Sequence, residues 1–558
     1  MVPADKLVEV AQTLRDELGF NYLSSVTGVD LIEDGKLEVV YHASNLDLGG
    51  KSLVLKTQVA REDGRVPSLT PLYPGAEFQE REAYDLLGIH FDNHPDLRRI
   101  LMWDGFAGHP LRKDWQEAFY EEDAKPYGSR WPEGQVFRAE DRNPYGKNVR
   151  YPVDWSADAF TDETDTEVYA AMATQPHRKN DIRTDYVTVN IGPQHPSTHG
   201  VFRVVVTMDG ETIMELRPVM GYLHRNHEKI GERNTYLGNI PYTDRLDYLS
   251  SMSNNHGYVL AIEKLLGVTP PERAEWIRIL MVELTRICNH LWAIGFFLND
   301  IGALQTPMLY LTIERELILD LFEATAGSRM MCNYMRFGGL AHDLPAEVRG
   351  QETSAFLNEL VHERLPRIVE TIANFLTGNE ILRERSIGIG ILSREDAIAY
   401  STCGPVLRGS GVAYDLRRAD PYSYYDQLDF NVVTQAEGDI FARYMVRVLE
   451  INESLKILGQ VLPHLQATKG GSILEGKPQY NVRVNEGGDA YGRVENPKGE
   501  LGYYVMAKPK STNAYRYHIR APSFINLTPF GKMCAGEKIA DIVAVLGSID
   551  IVLGETDR

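Results

Sequence analysis

The sequence has 558 residues, a mass of 63.0 kDa and a formal net charge of −20, with 43% hydrophobic and 24% charged residues. This is the composition of an ordinary globular protein with about three or four structural units, and it excludes a wholly disordered, collagen-like or coiled-coil chain. The acidic balance disfavours nonspecific nucleic-acid binding, because a phosphate backbone requires clustered cations.

The cysteine content and the apolar stretches narrow the class further. The four cysteines lie far apart and form no Cys-x-x-Cys pair, which disfavours a cysteine-held zinc or iron–sulfur site and a disulfide scaffold. The first residues lack the apolar core of a signal peptide, and the most apolar stretch, 277–298, is interrupted by charges such as Glu283 and Arg286. We therefore expect a soluble or peripheral cytoplasmic protein.

The patterns divide the chain into a small α+β domain over 1–118, a linker over 119–182 and a larger domain over 183–558. In the first domain, residues 6–18 predict an amphipathic helix, and 37–42 and 52–57 predict strands. The segment 119–182 loses periodicity and contains prolines and an acidic run, which is typical of a solvated linker.

For the larger domain the sequence predicts a β-hairpin region followed by many helices. Strands are predicted over 186–191, 201–208, 212–216, 499–505 and 515–520, with an Asp-Gly turn before the third. Helices are predicted over 271–298, 306–327, 351–377, 437–465 and 535–546. The fold class is therefore α+β, with a large mainly helical domain.

Three segments carry candidate functional residues. In the loop Gly192–Gly200, His195 and His199 could bind a metal, stabilise the loop by hydrogen bonds or present a histidine to a ligand. The segment 222–229 fits a charged helix surface as well as a site, and the tyrosines and aspartates of 242–250 are weak signals alone.

Together these segments resemble the large catalytic subunit of respiratory complex I, its D subunit, from about residue 186 to 558. The resemblance rests on Gly-Pro-Gln-His-Pro-Ser-Thr-His-Gly at 192–200, Gly-Tyr-Leu-His-Arg at 221–225 and Asp-Arg-Leu-Asp-Tyr at 244–248. It is supported by Leu-Asn-Asp-Ile-Gly-Ala at 298–303, Arg-Ala-Pro-Ser-Phe at 520–524 and Gly-Glu-Thr-Asp-Arg at 554–558.

The N-terminal domain resembles the C subunit of the same complex, through Glu-Arg-Glu-Ala-Tyr-Asp-Leu-Leu-Gly-Ile at 80–89 and Pro-Leu-Arg-Lys-Asp-Trp at 110–115. The chain thus resembles a bacterial C/D fusion. It departs from the family pattern in an abrupt N-terminal start and in Asn226, which replaces a small residue.

The D subunit of complex I in turn resembles the large subunits of nickel–iron hydrogenases, which hold nickel with two cysteine pairs. An ungapped comparison puts Asp247, Ser250, Val552 and Glu555 at the four thiolate positions. A soft metal that requires thiolates has no ligands in this set, so we expect no hydrogenase activity and no metal site.

The resemblance implies that this region receives a quinone headgroup. It implies that His199 and Tyr248 donate protons to the quinone and that Asp300, placed just after the long helix, pairs with the histidine. Histidine and tyrosine side chains can each donate a hydrogen bond to a quinone oxygen and release a proton as negative charge develops there. It further implies that Arg225 lies near the terminal iron–sulfur cluster of a partner, and that His195, His224 and Asp247 lie in or behind the quinone site.

The function implied is that of a peripheral-arm subunit of a proton-translocating NADH–quinone oxidoreductase. No cofactor is expected on this chain: the iron–sulfur clusters, FMN and NADH would bind partner subunits, with quinone as the substrate. Expected partners are the other peripheral-arm subunits, above all the one with the terminal cluster, and the membrane-arm subunits. We expect no nucleic acid, and a peripheral location on the cytoplasmic side of the cell inner membrane.

Two alternatives stay open at this point. The same module could serve a related complex whose electron donor is ferredoxin or a reduced deazaflavin. It could also be an assembly scaffold without catalytic groups, as the N-terminal half of the fusion is expected to be.

Overall fold

The computed structural model describes residues 1–103, 106, 108–115, 186–195, 198–303, 306–478 and 480–558. The predicted linker over 119–182 lies outside the described residues. Within them the chain combines helices with several antiparallel sheets, which confirms the predicted α+β class. None of the described helices has the length and apolarity needed to cross a membrane.

The N-terminal unit is a three-stranded antiparallel sheet of order β1-β2-β3, with helices α1 and α2 and a short parallel pair β4-β5. The bounds are α1 Leu7–Asp16, β1 Tyr22–Leu31, β2 Lys36–Asn45, β3 Lys51–Ala60, β4 Arg65–Pro67, α2 Glu77–Leu87 and β5 His90–Asp92. Both predicted strands lie within β2 and β3. The long strand β1 was not predicted, because its small and polar residues, such as Ser24 and Ser25, are buried.

The second unit opens with an antiparallel meander, as the turn signals indicated. Strands β6 Val187–Ile191, β7 Arg203–Asp209 and β8 Thr212–Val219 pair in that order, and two short helices follow, α3 His227–Arg233 and α4 Tyr236–Thr243. A tight turn at Asp209 and Gly210 joins β7 to β8, with φ +62° at the glycine. The loop between β6 and β7 carries the two histidines.

The centre of the second unit is the helix α6, Glu272–Asp300, which is buried along nearly its whole length. It packs against α5 Ser251–Leu266, α7 Thr306–Ala326 and α14 Ile440–Ala467. The charged side chains of α6 pair inside the protein: Glu283 with Arg417 at 3.0 Å and Arg278 with Glu263 at 2.7 Å. These pairs explain how so apolar a helix carries charges in a protein core.

Shorter elements lie between α7 and α14. They are β9 Met335–Arg336, β10 Gly339–Leu340, β11 Glu347–Val348, β12 Gln351–Glu352, α8 Thr353–Glu359, α9 Leu365–Thr371, α10 Glu380–Glu384, α11 Arg394–Ala399, α12 Gly404–Arg408 and α13 Leu416–Ala419. The predicted helix over 351–377 is present, but turns of π-helix at Leu360–Arg364 and Ile372–Leu376 interrupt its α-helical hydrogen bonding.

The C-terminal region contains a second antiparallel sheet and four short helices. Their bounds are β13 Gly488–Asn496, β14 Gly499–Ala507, β15 Arg516–Arg520, α15 Pro522–Asn526, α16 Phe530–Cys534, α17 Asp541–Ile549 and α18 Leu553–Thr556. The predicted helix over 535–546 corresponds to α17, but its predicted start was wrong, because α17 begins only at Asp541. The amide of Ile213 donates to the carbonyl of Glu537 at 2.8 Å, so this segment pairs with β8 instead of coiling.

The N-terminal unit packs on the C-terminal sheet along a surface that we call the seam. Arg516 and Arg520 of β15 donate through Nε to the main-chain carbonyls of Gly28, at 2.7 Å, and Ser24, at 3.0 Å, in β1. These buried guanidinium groups satisfy main-chain oxygens of the neighbouring unit. Apolar residues of both units also belong to one continuous hydrophobic core.

A group of buried charges, which we call the seam cluster, lies where α2, α3 and β15 meet. It consists of Glu82, Glu228, Arg516, His518 and Arg558. Glu228 pairs with Arg516 at 2.8 Å and accepts from His518 Nδ1 at 2.9 Å, while Glu82 pairs with Arg558 at 3.0 Å. The segment 222–229 is therefore not a charged helix surface as a whole, because α3 starts only at His227 and its first residues, His227 and Glu228, are buried.

Candidate functional site

The loop between β6 and β7 places His199 against the C-terminal segment. The Thr198 hydroxyl donates to the carbonyl of His195 at 2.6 Å, which tightens the turn. His199 has the left-handed φ of +53°, and at Gly200, φ +135°, a Cβ would lie 2.8 Å from the Leu553 side chain. This close approach to Leu553 favours glycine at position 200. His195, earlier in the same loop, is exposed.

His199 and Asp300 form a hydrogen-bonded pair. His199 Nε2 lies 2.6 Å from Asp300 Oδ2, and Asp300 is the final residue of α6, not a residue beyond it. Burial favours the neutral imidazole, but the hydrogen bond and charge of Asp300, together with Asp550, outweigh it and raise the pKa of His199 above 6.5. The pair is therefore suited to hold a proton near neutral pH.

Tyr248 lies in the turn after α4 with its side chain 37% exposed. Among the residues that the structure describes, its hydroxyl has no hydrogen-bond partner. Burial and the neighbouring Asp247 raise the pKa of Tyr248, while Lys498 and Arg225 oppose that rise. The phenol thus stays protonated at neutral pH and can donate to a ligand.

Arg225 links this turn to the C-terminal segment. Its Nη2 donates to the carbonyl of Arg245 at 2.6 Å and to that of Gly554 at 3.4 Å. Burial, followed by the charge of Arg245, lowers the pKa of Arg225. The side chain is otherwise exposed, so part of the guanidinium is open to a partner. The neighbouring Asn226 adopts φ +58° at the start of α3, a conformation that asparagine tolerates.

The other two predicted residues lie behind this surface. His224 donates from Nδ1 to the carbonyl of Asp557 at 2.7 Å, and its Nε2 is buried with no partner among the described residues. Burial lowers the pKa of His224 although that hydrogen bond opposes the change. Asp247 is fully buried and pairs with Lys498 at 2.9 Å.

The sequence patterns did not predict Lys498 as a residue of the site. In the structure it lies beside Asp247, one of the positions compared with the hydrogenase ligands. Its ammonium donates to Asp247 Oδ2 at 2.9 Å and to Asn289 Oδ1 at 2.5 Å, and lies 3.7 Å from Asp550. The signal that could have found it is the turn Asn-Pro-Lys-Gly at 496–499, between two strands. That turn signal predicts a surface position, and here the turn is buried.

In the described ranges the one grouping of His, Cys, Asp and Glu with metal-like spacing is Glu82, Glu228 and His518. These residues belong to the seam cluster, where Arg516 and Arg558 already supply the positive charge. The four cysteines are buried and free. The cluster is therefore an ion-pair network. The side chains of His199 and Tyr248 are of types that can donate a proton.

Comparisons with known proteins identify the families to which this chain is similar. The family described as "Respiratory-chain NADH dehydrogenase, 49 Kd subunit" matches residues 300–486 and 478–558, and the corresponding 30 Kd family matches 1–121. The first D subunit of NADH-quinone oxidoreductase from a Roseiflexus species is 54% identical over 68% of this chain and 100% of its own length. Its counterparts from Dehalococcoides mccartyi and Geotalea uraniireducens are 49% and 48% identical, covering 100% and 99% of their lengths.

Proposed function

The chain belongs to the family of NADH-quinone oxidoreductase D subunits and carries a unit of the 30 Kd family fused to it, and from this premise we propose that it forms the quinone-reducing site of such a complex. The observation that carries the proposal is the His199–Asp300 pair at 2.6 Å. The loop that carries His199 contacts Leu553 through Gly200. The next residue, Gly554, packs on the carbonyl of Leu246, in the turn that carries Tyr248, so the C-terminal segment connects the loop with the turn.

The chemistry requires two electrons and two protons for each quinone converted to quinol. We assign one proton to the His199 imidazolium, whose charge Asp300 stabilises, and the other to the Tyr248 hydroxyl. Each donor would hydrogen-bond one carbonyl oxygen of the neutral quinone and release its proton as negative charge develops there. Solvent would reprotonate both groups, since neither side chain is fully buried.

The electrons would come from an iron–sulfur cluster of a partner protein, because no described residues of this chain offer ligands for one. Arg225, with part of its guanidinium exposed, would lie beside that cluster. We place the chain in the peripheral arm of a proton-translocating complex on the cytoplasmic side of the membrane. The N-terminal unit, joined through the seam, would provide surface for other subunits.

The test is the quinone reductase activity of membranes that carry Tyr248→Phe. We expect quinone reduction to fall by about a hundredfold, because the substitution removes one proton donor and changes the shape of the residue little. Electron transfer to an artificial acceptor upstream of quinone should stay at the wild-type rate. Tyr480→Phe is the matched control, since that tyrosine is 86% exposed and lies in a loop that is remote from the site in the sequence.

Two results would contradict the proposal. If Tyr248→Phe retains quinone reduction, the tyrosine is not a proton donor. If the upstream activity collapses with it, the residue is structural, and the same pair of assays on His199→Gln decides whether the loop or the turn contains the site.

A further inference from the structure

The tip of the hairpin between β13 and β14 is buried inside the second unit, although hairpin turns normally lie at the surface. Lys498, at this tip, is 1% exposed. A Cβ at Gly499, φ +129°, would lie 2.5 Å from Cys403 Sγ, and one at Gly404 would overlap the carbonyl of Lys498. Two glycines thus let the backbone pack closely enough to carry a lysine into the core.

The ammonium of Lys498 is held by three side chains from three different elements. Asp247 accepts at 2.9 Å from the turn after α4, Asn289 accepts at 2.5 Å from α6, and Asp550 lies at 3.7 Å beyond α17. Asn289 also donates to Asp550 at 2.9 Å, which closes the network. Since an isolated buried ammonium would be strongly unfavourable, these three side chains stabilise Lys498 in the core.

The charge state of Lys498 follows from these neighbours. Burial favours the neutral amine, but Asp247, Asp550 and Glu555 outweigh it and raise the pKa of Lys498. Glu555 is the third titratable group facing the ammonium, and burial raises its pKa to about 7, with a smaller contribution from Asp247. At neutral pH the Lys498 amine therefore keeps its proton and its positive charge.

Each of the two carboxylates influences one proton donor of the proposed site, Asp247 through the position of Tyr248 and Asp550 through the charge near His199. Asp247 directly precedes Tyr248, and its Oδ1 accepts from the amide of Leu249 at 3.1 Å, so it also shapes the turn that holds the tyrosine. Asp550 acts electrostatically on His199 and stabilises the imidazolium. The ammonium of Lys498 thus contacts both carboxylates, Asp247 at 2.9 Å and Asp550 at 3.7 Å.

We propose that Lys498 is a positioning residue for quinone reduction: by clamping Asp247 and Asp550 it fixes where Tyr248 and His199 lie and balances the charge behind them. This inference rests on the proposed function, because it assumes that the two side chains act as donors. It assigns no contact between Lys498 and the quinone. It predicts that the fixed positive charge sets the pH range over which the donors keep their protons.

The experiment is the pH profile of quinone reduction by membranes that contain the whole complex with Lys498→Met, beside the upstream acceptor assay. Removal of the cation leaves two carboxylates behind the donors, which makes both donors weaker acids. We expect the rate at neutral pH to fall about tenfold and the alkaline limb of the profile to move up by about one pH unit.

A second variant should shift the alkaline limb of the pH profile in the opposite direction. Asp550→Asn removes a negative charge that faces His199 and leaves Lys498 less balanced, so the alkaline limb should move down by about one pH unit. A purely structural lesion would lower the rate of both variants without shifting the limbs in opposite directions. Should Lys498→Met fail to assemble, as the upstream assay would show, Lys498→Gln, which keeps a hydrogen-bond donor without the charge, takes its place with the same expected shift.

A limb that stays at the wild-type pH in either assembled variant overturns the inference. Tyr248→Phe in the same membranes separates this failure from that of the proposed function. If Tyr248→Phe is inactive and Lys498→Met keeps the wild-type rate and profile, only the role of Lys498 is wrong. If Tyr248→Phe is active, the proposed site itself is wrong.

Discussion

The seam cluster and the candidate quinone site are both groups of titratable side chains within one fold. They differ in how many of their hydrogen-bonding groups have a partner in the protein. In the seam cluster Glu228 contacts Arg516, His518 and the amide of Ile519, so its bonding partners all come from the protein. At the candidate site the Tyr248 hydroxyl bonds to none of the described residues, and His199 is only partly covered. The comparison shows that closed pairing stabilises a junction, whereas incomplete pairing leaves a proton available for a ligand.

The largest effect should come from breaking the closed cluster. We expect Glu228→Gln to lower the free energy of unfolding by about 3 kcal/mol, because the buried Arg516 would keep only the more distant carboxylate of Glu232, at 3.5 Å. The measurement is the urea midpoint of the purified complex, followed by the release of this chain. A midpoint equal to that of the wild type would show that the cluster does not stabilise the seam.

The same carboxylate predicts how the seam responds to acid. Burial alone would raise the pKa of Glu228, but Arg516, His518 and Arg558 lower it well below its usual range. The stability it contributes is therefore present above about pH 4.3 and lost as the pH falls through the lowered pKa of the folded state. Glu228→Gln should remove this part of the acid sensitivity.

A smaller effect is expected at the open site. In Asp300→Asn the hydrogen bond and the charge that raise the pKa of His199 are weakened, while the burial that lowers it remains. The imidazole should then lose its proton at lower pH, and the alkaline limb of quinone reduction should move down by about one pH unit. Asp47→Asn, an exposed aspartate of the N-terminal unit, is the control that should leave the profile unchanged.

The smallest effect should be that of Glu9→Gln, the matched control for Glu228→Gln. Glu9 accepts a hydrogen bond from Lys6 at 3.0 Å, but both side chains are largely exposed, so solvent and ions screen the pair. We expect no measurable change in the urea midpoint of the complex. A shift as large as that of Glu228→Gln would contradict the distinction between closed buried pairs and exposed ones.

Much of the fold follows from local patterns. The meander β6–β8 and the helix α6 were predicted because turn signals and apolar spacing agreed with their final surroundings. The strand β1 was missed because polar side chains such as Ser24 are buried in it, and the start of α17 was misplaced because residues before Asp541 pair with β8. Both errors come from tertiary contacts that a local pattern does not contain.

The candidate site divides in the same way. The resemblance to known subunits pointed to His199, Tyr248 and Asp300, and the structure brings His199 and Asp300 together, although their roles stay predictions. Lys498 was not found, since a lysine in a hairpin turn is normally exposed and its burial depends on contacts with Asp247 and Asn289. Distant partners of this kind cannot be deduced from the spacing of residues along a chain.

The contacts between β15 and β1 have an evolutionary consequence. Arg516 and Arg520 recognise the main chain of β1, through the carbonyls of Gly28 and Ser24, and these contacts do not depend on which side chain position 24 carries. Substitutions there can accumulate without loss of these two hydrogen bonds, provided that the strand keeps its course. Such backbone recognition would let two polypeptides diverge in sequence, or be joined into one, while their mode of docking stays the same.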